Sequence, residues 1–270
     1  MPELVFLKLG GSLITDKTRP YTPHLAKLDD LAAQLAQARR LQPDQAILLG
    51  HGSGSFGHTA ARKFHTRDGL SPATDAHRYW DGFSQVWYQA SALNRHVMDA
   101  LQRAGLPAVA FAPVAAVTAR NGKVAHWDLA PLQAALRAGL LPVVYGDVVI
   151  DETRGGTILS TEDLFEHLAA ALNPQRVLLA GLEGAVWADF PTRSQRVEHI
   201  TPLTFESIRA NLGASHGADV TGGMESKVRQ MLDLVARQPG MSAQIFSGEE
   251  SGSLLKTLRG DQLGTLLSAV

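Results

Sequence analysis

Two glycine-rich segments, each following a short apolar run, constrain the fold of this chain most. The first is Lys8-Leu9-Gly10-Gly11-Ser12, after an apolar run at 4–7; the second extends from Gly50 to His58, after an apolar run at 46–49. Short apolar runs that end at glycine are typical of buried strands, and leucines at helical spacing between positions 24 and 41 separate them. This order predicts a parallel sheet in an α/β fold, with ligand sites where the strands end.

Both segments have the chemistry of a phosphate cradle. Adjacent glycines let the backbone approach an anion, so that several N–H groups can point at its oxygens. Lys8 would add the point charge that a transferring phosphoryl group needs. His58, at the end of the second segment, is placed to meet an anion. The alternatives are an ordinary strand-to-helix turn for the first segment and a flexible surface loop for the second.

A third glycine pair follows the stretch Asp219-Val220-Thr221. Gly222 and Gly223 precede an apolar periodicity that begins at Met224, so they are predicted to lie at a helix N-terminus, which attracts anions. Lys227 lies one turn further on and can reach back to the same phosphate. Simple glycine-assisted capping is the alternative.

Three lysines near glycine loops form a set suited to neutralising a polyphosphate. They are Lys8, Lys17 and Lys227. Phosphoryl transfer depends mainly on positioning and charge stabilisation, so no covalent nucleophile is required. Four carboxylates are candidates for orienting the lysines or metal-bound water: Asp16, Asp147, Asp163 and Asp219. No metal-binding motif is present; Mg²⁺ is expected with the nucleotide, on its phosphates and water.

The rest of the chain continues the alternation of helices and strands. Residues 76–104 have the longest helical pattern, with a broad apolar stripe that predicts a core or dimer-facing helix; its aromatic N-terminal half also permits a pocket wall. Further predicted helices are 129–138 and 160–172, the latter opened by a capping box from Ser160 and Asp163. Predicted strands are 108–111, 141–145 with 148–150 continuing it, 157–159, 176–180 and 243–246. Residues 187–202 have the weakest pattern.

Composition excludes several functional classes. The formal net charge of −1 gives no reason to expect nucleic acid or an anionic membrane as a partner, and the absence of cysteine excludes disulfides and thiolate catalysis. No apolar stretch approaches the roughly 18 residues of a membrane span. We expect a soluble, cytoplasmic protein whose 270 residues form one large domain or two closely joined lobes.

With these residues assembled, the chain resembles the amino acid kinase superfamily over nearly its whole length and, within it, the isopentenyl phosphate kinases. The matching motifs are the Lys8-to-Ser12 opening with Lys17, the second glycine segment, Gly146-Asp147, and the third glycine pair with Lys227. The discriminating mark is His58, which the acetylglutamate, aspartate, glutamate and uridylate kinases of this fold lack.

The resemblance implies a single domain over 1–270, folded as an open αβα sandwich with a mainly parallel central sheet. It implies a lobe for the phosphate acceptor at about 1–172 and an ATP lobe at about 173–270. It also implies a homodimer that uses ATP and Mg²⁺ to phosphorylate isopentenyl phosphate to the diphosphate.

The resemblance also implies roles for individual residues. His58 would hold the acceptor phosphate together with the second glycine segment, Lys8 would stabilise the transferring group, and Lys17 would assist. Residues implied to bind the acceptor are Gly52, Ser53, Gly54, His58 and Thr161, with Tyr79, Phe83 and Trp87 facing the isoprenoid tail. Residues implied to bind ATP are Lys8, Gly10, Gly11, Ser12, Gly54, Gly181, Gly222, Gly223 and Lys227.

The chain departs from the family pattern at Ser53 and at Thr59. Ser160-Thr161-Glu162-Asp163 stands where Ser-Gly-Asp-Asp is usual, and Gly181-Leu182-Glu183-Gly184 replaces Asp-Val-Asp-Gly. Thr161 stands where a glycine amide contacts the acceptor phosphate, and an amide survives that change if the backbone angles allow it. One competing reading is a kinase of the same fold acting on another small phosphate or phosphonate, such as fosfomycin. A second is a non-catalytic nucleotide-binding protein, although binding alone does not need charge at both phosphate loops.

Overall fold

A computed structural model describes residues 3–71, 74–209 and 223–270 and contains a large central sheet. In the described part of the chain this sheet has eight strands, in the spatial order β12-β14-β13-β9-β1-β2-β6-β3. Their bounds are β1 Leu4–Leu9, β2 Ala46–His51, β3 Ala108–Ala110, β6 Leu141–Tyr145, β9 Arg176–Gly181, β12 His199–Ile200, β13 Ser242–Ser247 and β14 Thr265–Leu267.

Strand β1 lies at the centre of this sheet and pairs in parallel with β2 and with β9. The register places Leu9 beside His51 on one side and beside Ala180 on the other. Strands β6 and β13 extend the parallel sheet outward, and β14 runs antiparallel to β13. Because parallel strands end at the same edge, the glycine segments that follow β1 and β2 lie next to each other. The mainly parallel α/β fold predicted from the sequence is confirmed.

Helices cover both faces of the sheet and enclose two apolar cores. Within β1, Val5 and Leu7 point into one core and Phe6 into the other. The helix bounds are α1 Gly11–Ile14, α2 Leu25–Leu41, α3 Gly54–Phe64, α4 Ala76–Arg103, α5 Pro113–Ala116, α6 Ala130–Arg137, α7 Thr161–Leu172, α8 Pro202–Ile208, α9 Gly223–Arg237 and α10 Ser253–Leu258. Helices α2, α4 and α10 pack on the first core and α7 and α9 on the second. The predicted capping box at the start of α7 is confirmed.

A smaller sheet of four strands accompanies the large one. Its order is β5-β4-β7-β8, with bounds β4 Val117–Arg120, β5 Lys123–Trp127, β7 Asp147–Asp151 and β8 Gly155–Leu159. The prediction that residues 148–150 continue the preceding strand is wrong. The Asp151 carboxylate accepts hydrogen bonds from the Gly122, Thr153 and Arg154 amides, which holds β7 and β8 in this second sheet. Residues 187–202 contribute a short ribbon of β10 Val186–Trp187 and β11 Arg196–Val197.

The second glycine segment is much shorter than the nine-residue loop expected from its composition. Strand β2 continues to His51, and α3 begins at Gly54, which has a φ of +48°. The Thr15 hydroxyl accepts a hydrogen bond from the Ser55 amide at 3.0 Å and so satisfies one of the amides at the start of the helix. His58 therefore lies on the second turn of a helix and does not close a loop.

Candidate active site

One cavity of about 550 Å³ lies where β1, β2 and β9 end. Such a position, at the carboxyl edge of a parallel sheet, is where α/β folds bind ligands. Most of the predicted site residues line it, namely Lys8, Gly10, Gly11, Ser12, Lys17, Gly52, Ser53, Gly54, His58, Thr161, Gly181, Gly223 and Lys227. Gly222 and Asp219 fall outside the described residues.

The first two glycine segments touch each other, backbone against backbone. A Cβ atom added to Gly52 would lie 2.8 Å from the amide nitrogen of Gly11, and one added to Gly11 would lie 2.6 Å from the Cα atom of Gly54. Real Cβ atoms do not approach this closely, so the contact requires glycine at both positions. The Thr15 hydroxyl donates to the Gly11 carbonyl at 2.7 Å and joins the two segments further. The cavity thus has a double cradle of backbone groups at its base.

A buried ion pair between Lys8 and Glu162 lies beside this double cradle. The Lys8 ammonium, at the end of β1, donates to a Glu162 carboxylate oxygen, and both side chains are only 10% exposed. Burial raises the pKa of Glu162, but the charges of Lys8 and then of Lys227 outweigh it, so the net pKa lies below its usual value. Glu162 therefore stays ionised and faces two of the three predicted lysines.

Sequence reasoning missed Glu162 and selected neighbouring carboxylates instead. Asp163 accepts a hydrogen bond from the Ser160 amide within the capping box, and Asp147 is fully buried away from the cavity lining. Asp16 accepts from Thr18 in an exposed turn. The sequence signal that could have identified Glu162 is its position in the first turn of α7, directly after strand β8. A carboxylate at the start of a helix beside the site can face the lysines of the site.

The other predicted charges surround the same cavity. His58 is half-buried on α3, and Lys17 is exposed on the connection between α1 and α2. Gly223 begins α9 with a φ of +73°, and Lys227 follows one turn later. A cation thus reaches the cavity from β1, from the loop after α1 and from α9, while a histidine reaches it from α3.

The end of the cavity next to β9 is closed by residues of the β10–β11 ribbon. Glu183 accepts two hydrogen bonds from the Arg193 guanidinium, at 2.8 and 3.0 Å, and one from the Trp187 indole at 3.2 Å. These bonds to Arg193, with a smaller contribution from Trp187, lower the pKa of Glu183 despite its partial burial. Glu183, which stands where the resemblance implies an aspartate, is therefore neutralised by Arg193 of the same chain.

The predicted position of the aromatic side chains needs correction. Tyr79 is buried away from the cavity and its hydroxyl donates to the Thr66 carbonyl at 3.0 Å, whereas Trp87 is 42% exposed. Neither they nor Phe83 line the cavity; α4 contributes Val86 instead. Residues spaced by four advance by about 40° around a helix at each step, so the series turns progressively away from one face. Val86, two full turns after Tyr79, lies on the buried face.

Val86, Ala61 and Ile158 form an apolar wall close to His58. All three line the cavity and belong to one small apolar cluster between α3, α4 and the second sheet. Arg62, His65, Arg67 and Asp68 also line the cavity. The cavity thus has an apolar wall together with charged and polar side chains.

The described residues contain no group of three or more histidine and carboxylate side chains that could hold a metal ion. Two carboxylates of the cavity are engaged with cations of the chain, Glu162 with Lys8 and Glu183 with Arg193. Among the helices of residues 3–71, 74–209 and 223–270, none combines the length and the apolar character needed to cross a bilayer.

A parallel sheet whose central strands end in two touching glycine cradles, with a lysine–glutamate pair beside them and further cations around one cavity, defines a phosphotransferase that acts on small molecules. The chain belongs to the amino acid kinase family: the sequence profile of that family matches residues 3–247. The resemblance inferred from the motifs is confirmed.

Within the amino acid kinase family, the chain is similar to several isopentenyl phosphate kinases. The chain is 30% identical over 264 residues to isopentenyl phosphate kinase of Methanothermobacter thermautotrophicus, which covers 96% of this chain and 97% of that protein. It is 35% identical over 263 residues to isopentenyl phosphate kinase of Haloferax volcanii, covering 94% and 99%. A solved structure described as an X-ray structure of isopentenyl phosphate kinase superposes with a TM-score of 0.83 at 28% identity, covering 98% of this chain and 100% of that one.

Proposed function

We propose that this chain transfers the terminal phosphoryl group of ATP to isopentenyl phosphate, yielding isopentenyl diphosphate and ADP. The observation that carries the proposal is the single cavity in which two glycine cradles, the Lys8–Glu162 pair and His58 meet an apolar wall. The cradles and cations suit two phosphates side by side, and the wall suits a short hydrocarbon tail. The names and the extent of the relatives support the same substrate.

The acceptor phosphate needs no general base in this reaction. A phosphate monoester has its second pKa near 6, so at pH 7 it is already largely a dianion. The enzyme's task is to bring two negatively charged groups together. In our proposal, His58 donates a hydrogen bond to the acceptor phosphate and the amides of Ser53 and Gly54 hold its other oxygens, with the Thr161 amide contributing a further contact. Gly52 contributes the close approach of the backbone, since its own amide donates to the Leu9 carbonyl.

The lysines neutralise the charge of the transferring group. Lys8, held by Glu162, stabilises the negative charge of the phosphoryl group during transfer. Lys17, which also lines the cavity, adds positive charge next to the same group. Lys227 and the amides at the start of α9 bind the ATP phosphates, together with the first glycine segment and Gly181. ATP enters as its magnesium complex, in which phosphates and water hold the ion, because two carboxylates of the cavity are already paired with cations of the chain.

The division into lobes and the homodimer are part of the same proposal. Residues 1–172 form the acceptor side and 173–270 the ATP side. For the dimer, the aromatic face of α4 supplies exposed apolar surface at Trp80, Trp87 and Tyr88. Light scattering coupled to gel filtration tests it: a mass near 58 kDa, twice the 29.0 kDa of the chain, is expected, and 29.0 kDa would contradict the dimer.

An ADP-release assay with ATP and Mg²⁺ tests the function, with isopentenyl phosphate, dimethylallyl phosphate and fosfomycin offered in parallel. We expect saturable turnover of isopentenyl phosphate with kcat/KM above about 10⁴ M⁻¹s⁻¹. Turnover of fosfomycin alone would support the role of the glycine cradles in binding phosphate, but it would contradict the proposal that the apolar wall binds the hydrocarbon tail. No turnover with any of the three would return the chain to the class of nucleotide-binding proteins.

A small polar acceptor such as fosfomycin is the second candidate. The observation that favours it is the positive charge of Arg62 and Arg67, which line the cavity together with His65. These side chains suit a compact anion better than a hydrocarbon. The apolar wall makes isopentenyl phosphate the first choice.

A further inference from the structure

We propose that Thr161 is a positioning residue for phosphoryl transfer, whose hydroxyl fixes the lysine–glutamate pair relative to the acceptor cradle. The inference rests on the proposed function and deepens it.

The Thr161 side chain joins the start of α7 to the end of β2. Its hydroxyl donates to the His51 carbonyl at 2.6 Å, and the residue is only 1% exposed. The same carbonyl accepts a hydrogen bond from the Gly146 amide at 3.2 Å, so three elements meet at one oxygen atom. The methyl group is also engaged: a Cβ atom added to Gly50 would lie 2.5 Å from it.

The His51 ring holds the same segment from the other side. It is fully buried and stacks on Tyr145, with ring centroids 5.3 Å apart and planes inclined by 9°. Nδ1 lies 3.1 Å from the Gly52 carbonyl, and Nε2 lies 3.2 Å from the Asn94 carboxamide. Burial lowers the pKa of His51, and the charge of Lys8 adds to that effect, so the ring is neutral.

Each nitrogen of the neutral ring faces an oxygen, the Gly52 carbonyl at Nδ1 and the Asn94 carboxamide oxygen at Nε2. The nitrogen that carries the proton donates to the oxygen that it faces. The Gly52 amide in turn donates to the Leu9 carbonyl at 3.0 Å. The cradle is thus fixed from the ring, from the carbonyl and from β1.

The hydrogen bond from the Thr161 hydroxyl to the His51 carbonyl matters for catalysis because of the residues that adjoin its two ends. The next residue, Glu162, holds Lys8, the charge that acts on the transferring phosphoryl group. The bonded residue, His51, leads directly into the cradle that holds the acceptor. The hydroxyl therefore sets the distance between the two reacting groups, and a misplacement of about 1 Å can cost about 100-fold in rate.

Three variants test the proposal. Thr161→Val removes the hydroxyl at nearly constant shape, and Thr161→Ser keeps the hydroxyl and removes the methyl group. Thr257→Val is the matched control: Thr257 is equally buried and its hydroxyl donates to the Ser253 carbonyl at 2.9 Å, but it does not line the cavity. Both valine variants leave one buried carbonyl with a bond fewer and should lose similar thermal stability.

We expect Thr161→Val to lower kcat by about 10- to 100-fold with KM for either substrate changed by less than about threefold. Thr161→Ser should restore kcat to within about threefold of the wild type, and Thr257→Val should leave it unchanged. A purely structural role would lower the melting temperature of both valine variants without separating their kcat values.

Failure of this inference and failure of the proposed function give different results. A wild type active on isopentenyl phosphate together with a fully active Thr161→Val would overturn the positioning role alone. Equal losses of kcat in Thr161→Val and Thr161→Ser would overturn it too, since the hydroxyl would then be irrelevant. Wild-type turnover only with dimethylallyl phosphate or fosfomycin would contradict isopentenyl phosphate as the substrate. The ratios of variant to wild-type kcat, measured with the acceptor that is turned over, would still decide the role of Thr161.

Discussion

Replacing Glu162 by glutamine removes the counter-charge of Lys8 at almost constant shape. Both side chains of the pair are 10% exposed, so the lysine would be left charged and largely out of water. Removing one partner of a buried pair costs about 3–5 kcal/mol of folding stability. The loss in catalysis has a separate origin: an ammonium that is no longer aimed at the transferring group should cost about 10²- to 10³-fold in kcat.

The ADP-release assay and thermal unfolding measure these two effects on the same preparations. Glu166→Gln is the control, since Glu166 lies on the same helix and pairs with Arg237 at 2.7 Å in a more exposed setting. It should cost less than about 1 kcal/mol and leave kcat unchanged. A Glu162→Gln variant with kcat within about threefold of the wild type would refute the reasoning, because Lys8 would then be positioned without its partner.

The pH dependence of unfolding gives an independent check of the same pair. The folded-state pKa of Glu162 is below its ordinary value of 4.5, so its ionisation stabilises the folded protein above that pH. This stabilisation is lost as the pH falls through the folded-state pKa. The difference in unfolding free energy between wild type and Glu162→Gln should therefore shrink below pH 4.5. A difference that stays constant into the acid range would contradict an ionised Glu162.

Three further predictions follow from the site and the core. His58→Gln should lower kcat/KM for isopentenyl phosphate by a factor equivalent to about 2–4 kcal/mol of transition-state stabilisation. The control His77→Gln, on the exposed face of α4, should leave kcat/KM unchanged. Wild-type kcat/KM in His58→Gln would show that His58 does not bind the acceptor phosphate. Val86→Phe fills the apolar wall and should raise KM for isopentenyl phosphate about tenfold without changing KM for ATP; parallel increases in both would point to general misfolding. Burial raises the pKa of Asp147 to about 7, above its ordinary value of 3.8, so the folded protein keeps this proton after the unfolded chain has lost it, and stability falls as the pH rises from 3.8 until the folded-state pKa is reached. Asp147→Asn should therefore gain about 1.4 kcal/mol over the wild type per pH unit between pH 4 and 7, measured by urea unfolding, and equal stabilities throughout would contradict a buried ionisable carboxyl.

Local patterns in the sequence were enough to predict most of the longer helices and most strands of the large sheet. The spacing of apolar residues gave α2 and α4 almost to their ends, and Ser160 with Asp163 gave the start of α7. These elements are decided by interactions between residues close in the chain. The change of direction after Gly146 was not predictable in this way. The following strand, β7, is held in the second sheet because the Asp151 carboxylate accepts a hydrogen bond from the Gly122 amide of the distant β4–β5 hairpin.

Glycine content misled the prediction at the second segment. Four glycines in nine residues resemble a flexible loop, yet the chain becomes helical at Gly54 because the Thr15 hydroxyl, 40 positions away, accepts from the Ser55 amide. The aromatic residues of α4 misled it too, since chemistry alone does not reveal which side of a helix meets a cavity. The orientation of α4 is fixed by packing, and it directs Val86 inward and Trp87 outward.

The sequence alone determined the order of strands and helices, the two adjoining cradles and the set of lysines, because periodicity, glycine and charge act over a few residues and parallel strands end at one edge. Only the tertiary structure decided which partners those groups meet. Glu162 lies 154 positions from Lys8, and Thr161 lies 110 positions from His51. Contacts of this kind depend on how whole elements pack, since a buried charge or carbonyl must find its partner wherever the fold brings one.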